Sequence, residues 1–406
     1  MHPTIELVRR PGARGLLAAG LVGRIPMGTI GLGLTLLVLE ATGSFATTGA
    51  MTGAMTLSAA VAVPVLGRLA DRVGQRRFLP VLVVVNSATL LGLTVVVSCG
   101  WPMGWWWAAA VLAGASLPNL RAVTRTRWPG IAQGHRERAG AAALETVADE
   151  SMFLLGPILA TGVALRFGAA AAVALAAAAG LVGGLAVALQ RRGAPPACRR
   201  RTGGIPGAAA LGGVRGVVVT MLALGVMFGA LNVGAVAFAR GTAPHLSGVL
   251  VSALAGGSLL AGLVLSRGHL PSAGRRLRVG TAVLAAGLMP LPLVGSAWAF
   301  GAFVMVAGLG VAAAMTGGFS LVEQHVPRDR STEGMAAVTA ALSLGSATGA
   351  ALAGRLAEGV SVPAALLLPA AAALAAALAA RAPLHRPSPS VGRDVVLDAR
   401  VPAASR

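Results

Sequence analysis

The chain alternates between long apolar stretches and short polar connections. Each apolar stretch runs for about 20 residues, the length an α-helix needs to cross the hydrocarbon core of a bilayer. Twelve fall near residues 16–40, 46–69, 78–99, 104–124, 140–165, 168–190, 214–238, 245–266, 277–296, 298–322, 334–357 and 361–381. The pattern predicts an all-α membrane protein with twelve transmembrane helices. Spans six and twelve carry the weakest signal, because the alanine runs 169–179 and 370–380 would also suit a soluble helix.

Arginine supports the count. All 33 basic residues are arginine, and they recur in alternate connections. Arg9, Arg10 and Arg14 precede the first span, and further groups lie at 68–77, 125–138, 191–215, 267–278, at Arg328 and Arg330, and in the C-terminal tail. The opposite face receives Arg166, Arg240 and Arg355. This asymmetry places both termini in the cytoplasm of a multi-pass protein of the cell membrane. Trp101, Trp105, Trp106, Trp107, Trp128 and Trp298 all fall near predicted span ends, as an aromatic belt would. The turn-rich segment 191–213 divides the chain into bundles 1–190 and 214–382, and the tail 383–406 reads as disordered.

Composition narrows the function. With 56% hydrophobic and 11% charged residues and a mean hydropathy of +0.78, the chain lies far from the roughly 25% charge of soluble domains. The net charge of +20 is spread along the length without interleaved aromatics, so no nucleic-acid partner is expected. The first apolar run is a full span rather than a short cleavable core, so no signal peptide is expected. Cys99 and Cys198 fall on opposite predicted faces, which excludes a disulfide framework. No His-Glu-x-x-His, Gly-x-Ser-x-Gly or P-loop is present, and His135, His245, His269 and His325 fall at connections. Neither a metal, a cofactor nor an enzymatic activity is expected.

The most specific motif is Gly67-Arg68-Leu69-Ala70-Asp71-Arg72-Val73-Gly74-Gln75-Arg76-Arg77, a charged connection between spans two and three. Its pattern, Gly-x-x-x-Asp-Arg-x-Gly-x-Arg-Arg, resembles the cytoplasmic loop signature of the major facilitator superfamily. The resemblance implies two pseudo-symmetric six-helix bundles and a monomeric secondary transporter. Such a protein would carry a small-molecule substrate through the lipid bilayer by alternating access, with protons as the coupling ion. It further implies that Gly67, Asp71, Arg72, Gly74, Arg76 and Arg77 form a latch, with Asp71 facing the start of span eleven near Gly334. A faint repeat agrees with paired halves: spans four and ten both open on tryptophan and end on a charge, Arg121 and Glu323. Gly156-Pro157 in span five resembles the Gly-Pro centre of a motif found in proton-driven exporters, although Met152 and Ala160-Thr161 replace its flanking glycines. Glycine-rich span eight could supply the facing surface.

Five charged residues lie more than two residues inside a span: Arg24, Arg121, Glu145, Asp149 and Glu150. Each costs about 2.5–3.5 kcal/mol at mid-membrane, so such groups pair or line a cavity. Glu145 and Asp149 share a helix face at i,i+4, whereas Glu150 is turned about 100° away. The expectation is a buried charge network in which Asp149 or Glu150 exchanges a proton. Arg24 and Arg121 could instead snorkel to the interface. By analogy with the family, Thr29, Thr35, Asn119, Asn232, Thr316 and Ser320 would line a cavity, although for any one of them a bond to a neighbouring helix is the better reading. Arg121 and Glu323 would pair across an inner gate. The leading expectation is a proton-coupled exporter of a small amphipathic molecule, drug or sugar-like metabolite. An uptake symporter is the alternative, and a membrane sensor or intramembrane enzyme the reading from another class.

Overall fold

A computed structural model describes residues 7, 10–190, 193, 215–265, 271–326 and 331–382. The expected linker (apart from Gly193), the expected tail and Cys198 therefore lie outside the described residues. The described chain forms fourteen α-helices: α1 (Ala13–Thr42), α2 (Phe45–Val73), α3 (Gln75–Ser98), α4 (Met103–Ala115), α5 (Leu120–Arg127), α6 (Gly134–Phe167), α7 (Ala169–Leu189), α8 (Arg215–Thr242), α9 (Ser247–Leu265), α10 (Ala273–Leu288), α11 (Ala297–Gly308), α12 (Val311–His325), α13 (Ser331–Gly359) and α14 (Val362–Ala379). They make twelve crossings, because α4–α5 and α11–α12 are each one interrupted span. The alanine-rich spans six and twelve both form, as α7 and α14.

Local chemistry sets the boundaries. Gly43 ends α1 at φ +68°, and Ser44 then opens α2 by accepting a hydrogen bond from the Thr47 amide at 3.1 Å. This is a glycine stop followed directly by a serine cap. The interruption in span four falls at residues 116–119. Pro118 lacks an amide hydrogen and disfavours helix at the residue before it. Asn119 restarts the helix by accepting from the Ala122 amide at 3.1 Å.

The connection between spans two and three is shorter than its sequence suggested. Helix α2 continues through Gly67, Arg68, Asp71 and Arg72 to Val73, Gly74 alone turns the chain at φ +91°, and α3 begins at Gln75. The charged motif therefore sits on two helix ends rather than in a loop.

The same pairings recur in both halves. In the first, α1 packs on α6 and α7, α2 on α4, and α3 on α7; in the second, α8 packs on α13 and α14, α9 on α11, and α10 on α14. The halves meet along two seams, α2 against α13 and α6 against α9. Of the six tryptophans, Trp106 and Trp128 are buried in the first half, whereas Trp101, Trp105 and Trp298 are exposed.

Candidate functional site

The break in span four re-aims α5 and places Arg121, Thr124, Arg125 and Trp128 at positions i, i+3, i+4 and i+7. Residues so spaced share one helix face. That face meets Arg24 of α1 and the acids of α6, where Glu145 and Asp149 stand one above the other. Arg24 donates to both Glu145 and Thr124, and each side chain of the Arg24–Glu145 pair is only 2% exposed. Glu145 also accepts from the Trp128 indole N–H at 2.8 Å and from the Thr124 hydroxyl at 2.9 Å. Burial thus leaves this carboxylate with a partner on every side, the condition under which a buried charge is tolerated.

Asp149 is held differently. Its carboxylate lies among three guanidiniums: Arg125 at 3.0 Å, Arg121 at 3.1 Å and Arg24 at 3.4 Å. The Arg24 contact is electrostatic only, since neither Arg24 Nε nor Asp149 Oδ1 makes an aligned hydrogen bond. Arg121 is half exposed, lies 5.8 Å over the Phe153 ring and touches the Met27 sulfur at 3.2 Å. Glu150, one residue beyond Asp149, turns toward the other half. It is partly buried, lies near Ser258 of α9 and within the field of Arg121, and takes part in no ion pair among the described residues. The cluster therefore holds Arg24, Arg121 and Arg125 against Glu145, Asp149 and Glu150, with charges that cancel when all are ionised.

A second buried group supports this site from below. Arg127 is fully buried and donates to the Val187 and Gln190 carbonyls at 2.6 and 2.9 Å. The carbonyl end of α7, with its partial negative charge, takes the place of an acid. Arg127 Nε also reaches Gln75 Oε1 at 3.4 Å, and Gln75 donates to Thr126 at 2.9 Å. The turn at Gly74 is thereby tied to the end of span four.

The five charges expected inside the spans thus gather on one site, with Arg24 and Glu145 both buried in it. Arg125, Thr124, Trp128 and Arg127 were missed, although the spacing from Arg121 to Trp128 carried the signal. Other expected positions lie elsewhere. Thr29 is fully buried and bonds its own helix at the Ile25 carbonyl, and Thr35 does the same at Gly31, so neither lines a cavity. Asn119 is a helix cap, and Ser320 accepts from Arg276 at 3.1 Å. Thr316 is exposed and bonds Ala312, while Asn232 is partly buried with an unpartnered Oδ1. Arg121 pairs with Asp149, so the expected link to Glu323 is absent in this conformer, and Glu323 is exposed.

Gly156 meets the Gly28 backbone of α1 so closely that a methyl group there would overlap it. Pro157 presents its carbonyl to Gly248 of α9 at equally short range. Of the span-eight glycines only Gly248 meets this motif, while Gly257 packs on Met305 and Gly308 of α11. Asp71 and Arg72 are exposed, and Asp71 makes no hydrogen bond or ion pair to a described residue. The buried residues of α2 run from Thr48 to Met55, with none beyond. The α2–α13 seam therefore closes only on the side away from the arginine-rich connections.

An interrupted twelve-span bundle with ion pairs buried between its helices is the architecture of a membrane transporter. A family model of the Major Facilitator Superfamily matches residues 16–304 and 216–402. The chain belongs to that superfamily and is a secondary transporter. No curated protein sequence matches it. Among solved structures it is similar in fold to the POT family transporter PepTSo, with a TM-score of 0.69 at 12% identity over 90% of this chain and 95% of that one. It is likewise similar to the human organic anion transporter MFSD10 (TM-score 0.64, 14% identity, 92% and 100% covered). A variant of the nucleoside transporter NupG gives a TM-score of 0.67 at 14% identity, with 90% and 98% covered. At these identities the likeness establishes the fold alone.

Proposed function

We propose that this chain is a proton-coupled exporter of a small amphipathic molecule, a drug or a sugar-like metabolite, with Glu150 as the coupling acid. It would act as a monomer in the cell membrane with the arginine-rich side in the cytoplasm. The observation that carries the reading is the contrast between neighbouring acids. Glu145 and Asp149 are fixed by arginines, whereas Glu150 makes no ion pair to a described residue, feels Arg121 only at longer range, and lies near Ser258 across the seam that must shear when the halves rock. An acid at that place can accept a substrate N–H or O–H when ionised and lose it on taking a proton. Such mutual exclusion is what antiport requires. Arg121 beside Phe153 and Met27 offers a polar and an apolar contact together, which suits an amphipathic ligand. The Gly156-Pro157 contacts with both α1 and α9 support the exporter-like reading of span five.

In this reading the conformer is open to the cytoplasm and the latch around Asp71 is disengaged. The latch would form near Gly334 only when that side closes. The test uses inside-out vesicles with a preset pH gradient and a panel of amphipathic compounds. The native chain should release the gradient on substrate addition. Glu150→Gln should lose that release yet retain substrate exchange down its own gradient. Full gradient-driven flux in Glu150→Gln would remove the residue from its role, and a response confined to right-side-out vesicles would reverse the direction.

A further inference from the structure

On the side where the halves close, Glu358 in the last turn of α13 reaches the first turn of α2. Its Oε2 accepts from the Ser44 hydroxyl at 2.7 Å and from the Ala46 amide at 2.8 Å. Ser44 is the N-cap of α2 and simultaneously accepts from Thr47. The first amides of a helix have no partner within it, and the positive end of its dipole favours an anion there. Here the anion comes from a residue 314 positions away, in the other half of the molecule.

Beneath this contact the two helices touch through backbone. A methyl group on Gly49 would collide with the Ala350 carbonyl, one on Gly354 would collide with the Phe45 carbonyl, and one on Gly53 would lie 2.7 Å from the Ala347 oxygen. Arg240 of α8 adds a cation 5.7 Å from the Phe45 ring centre. Glu358 is exposed, unlike Glu145 and Asp149. Separating a buried ion pair leaves stranded charges, but water can solvate Glu358, Ser44 and the freed amide once the helices part. The contact has the properties of one made and broken in every cycle.

We propose that Glu358 is a positioning residue of the transport cycle, a clasp that completes the α2 cap across the two halves and holds this side shut. A built-in control exists within the first half. Glu40 at the end of α1 accepts from the Ala169 amide in the first turn of α7 at 3.1 Å, by the same chemistry. That contact joins helices that do not separate when the halves rock.

The test measures spin-label distances in the full chain in lipid nanodiscs. One label sits on the native, exposed Cys99 and one on Ser296→Cys, with Cys198→Ser removing the other thiol. Glu358→Ala should shift the ratio of wide to narrow distances about fivefold toward wide, the scale of losing one helix cap. Glu358→Gln, which keeps an acceptor oxygen, should recover most of the native distribution. Ser44→Ala should shift the distribution the same way, and combining it with Glu358→Ala should add little. Glu40→Ala should leave the distribution unchanged. A native-like distribution in Glu358→Ala, or an equal shift in Glu40→Ala, would overturn the proposal.

Discussion

The two halves repeat one scheme of helix pairing but bury different chemistry. Among the described residues, every buried charged side chain lies in the first half: Arg24, Arg127, Glu137, Glu145 and Asp149. The second half buries only hydroxyls, at Thr220, Ser247, Ser252, Ser258 and Thr281. Its interior is dominated by one large apolar cluster from Val217 to Ala377 that includes Met221, Leu224 and Phe300, beside a small one of Ala230, Val233, Ala350 and Ala353. In the first half the interior divides into two main clusters, one around Leu34 and Trp106 and one around Leu16 and Trp128. Backbone symmetry therefore does not require side-chain symmetry. One half holds the ion pairs, and the other offers an apolar body against which it can move.

The comparison is broken most severely by removing the central cation. Arg24→Leu strands Glu145 and leaves Asp149 one guanidinium short, and should cost about 3–5 kcal/mol. Thermal unfolding in detergent would read the loss, and adding Glu145→Leu should restore much of it. If the single variant unfolds like the native chain, the buried pair is not what holds the first half together. A smaller effect is expected at Trp128. Trp128→Phe keeps the ring but removes the N–H that serves the Glu145 carboxylate, at a cost of roughly 1.5–3 kcal/mol in the same assay. Smallest is the second-half counterpart, Ser320→Ala, which removes an acceptor from half-buried Arg276. A change of about 0.6 kcal/mol is expected there, typical of hydrogen bonds between membrane helices. A loss at Ser320 equal to that at Trp128 would erase the difference between the halves.

Much of this molecule was legible in its sequence. Spans and charge alternation were readable because transfer into lipid is local and nearly additive along the chain. The charges inside spans one, four and five were visible for the same reason, since each is anomalous in its own window. Less legible was which face of a helix meets which neighbour. In a bundle surrounded by hydrocarbon every face is apolar, so hydropathy does not separate a buried residue from a lipid-facing one. Thr29 was read as a possible cavity residue on that account, and it is fully buried and bonded to its own helix. The restart of span four was a missed signal rather than a silent one, because Pro118-Asn119 is a recognisable stop and cap.

The sequence by itself determined that this chain crosses the membrane twelve times, with most of its arginines in alternate connections and acids within span five. Those facts rest on the thickness of a bilayer and the cost of placing charge within it. Only the tertiary structure decided that Asp149 is surrounded by arginines while Glu150 is not, and that α2 is clasped to α13 at one end alone. Such choices depend on pairs of groups far apart in the chain, whose energies exist only once the helices have been brought together.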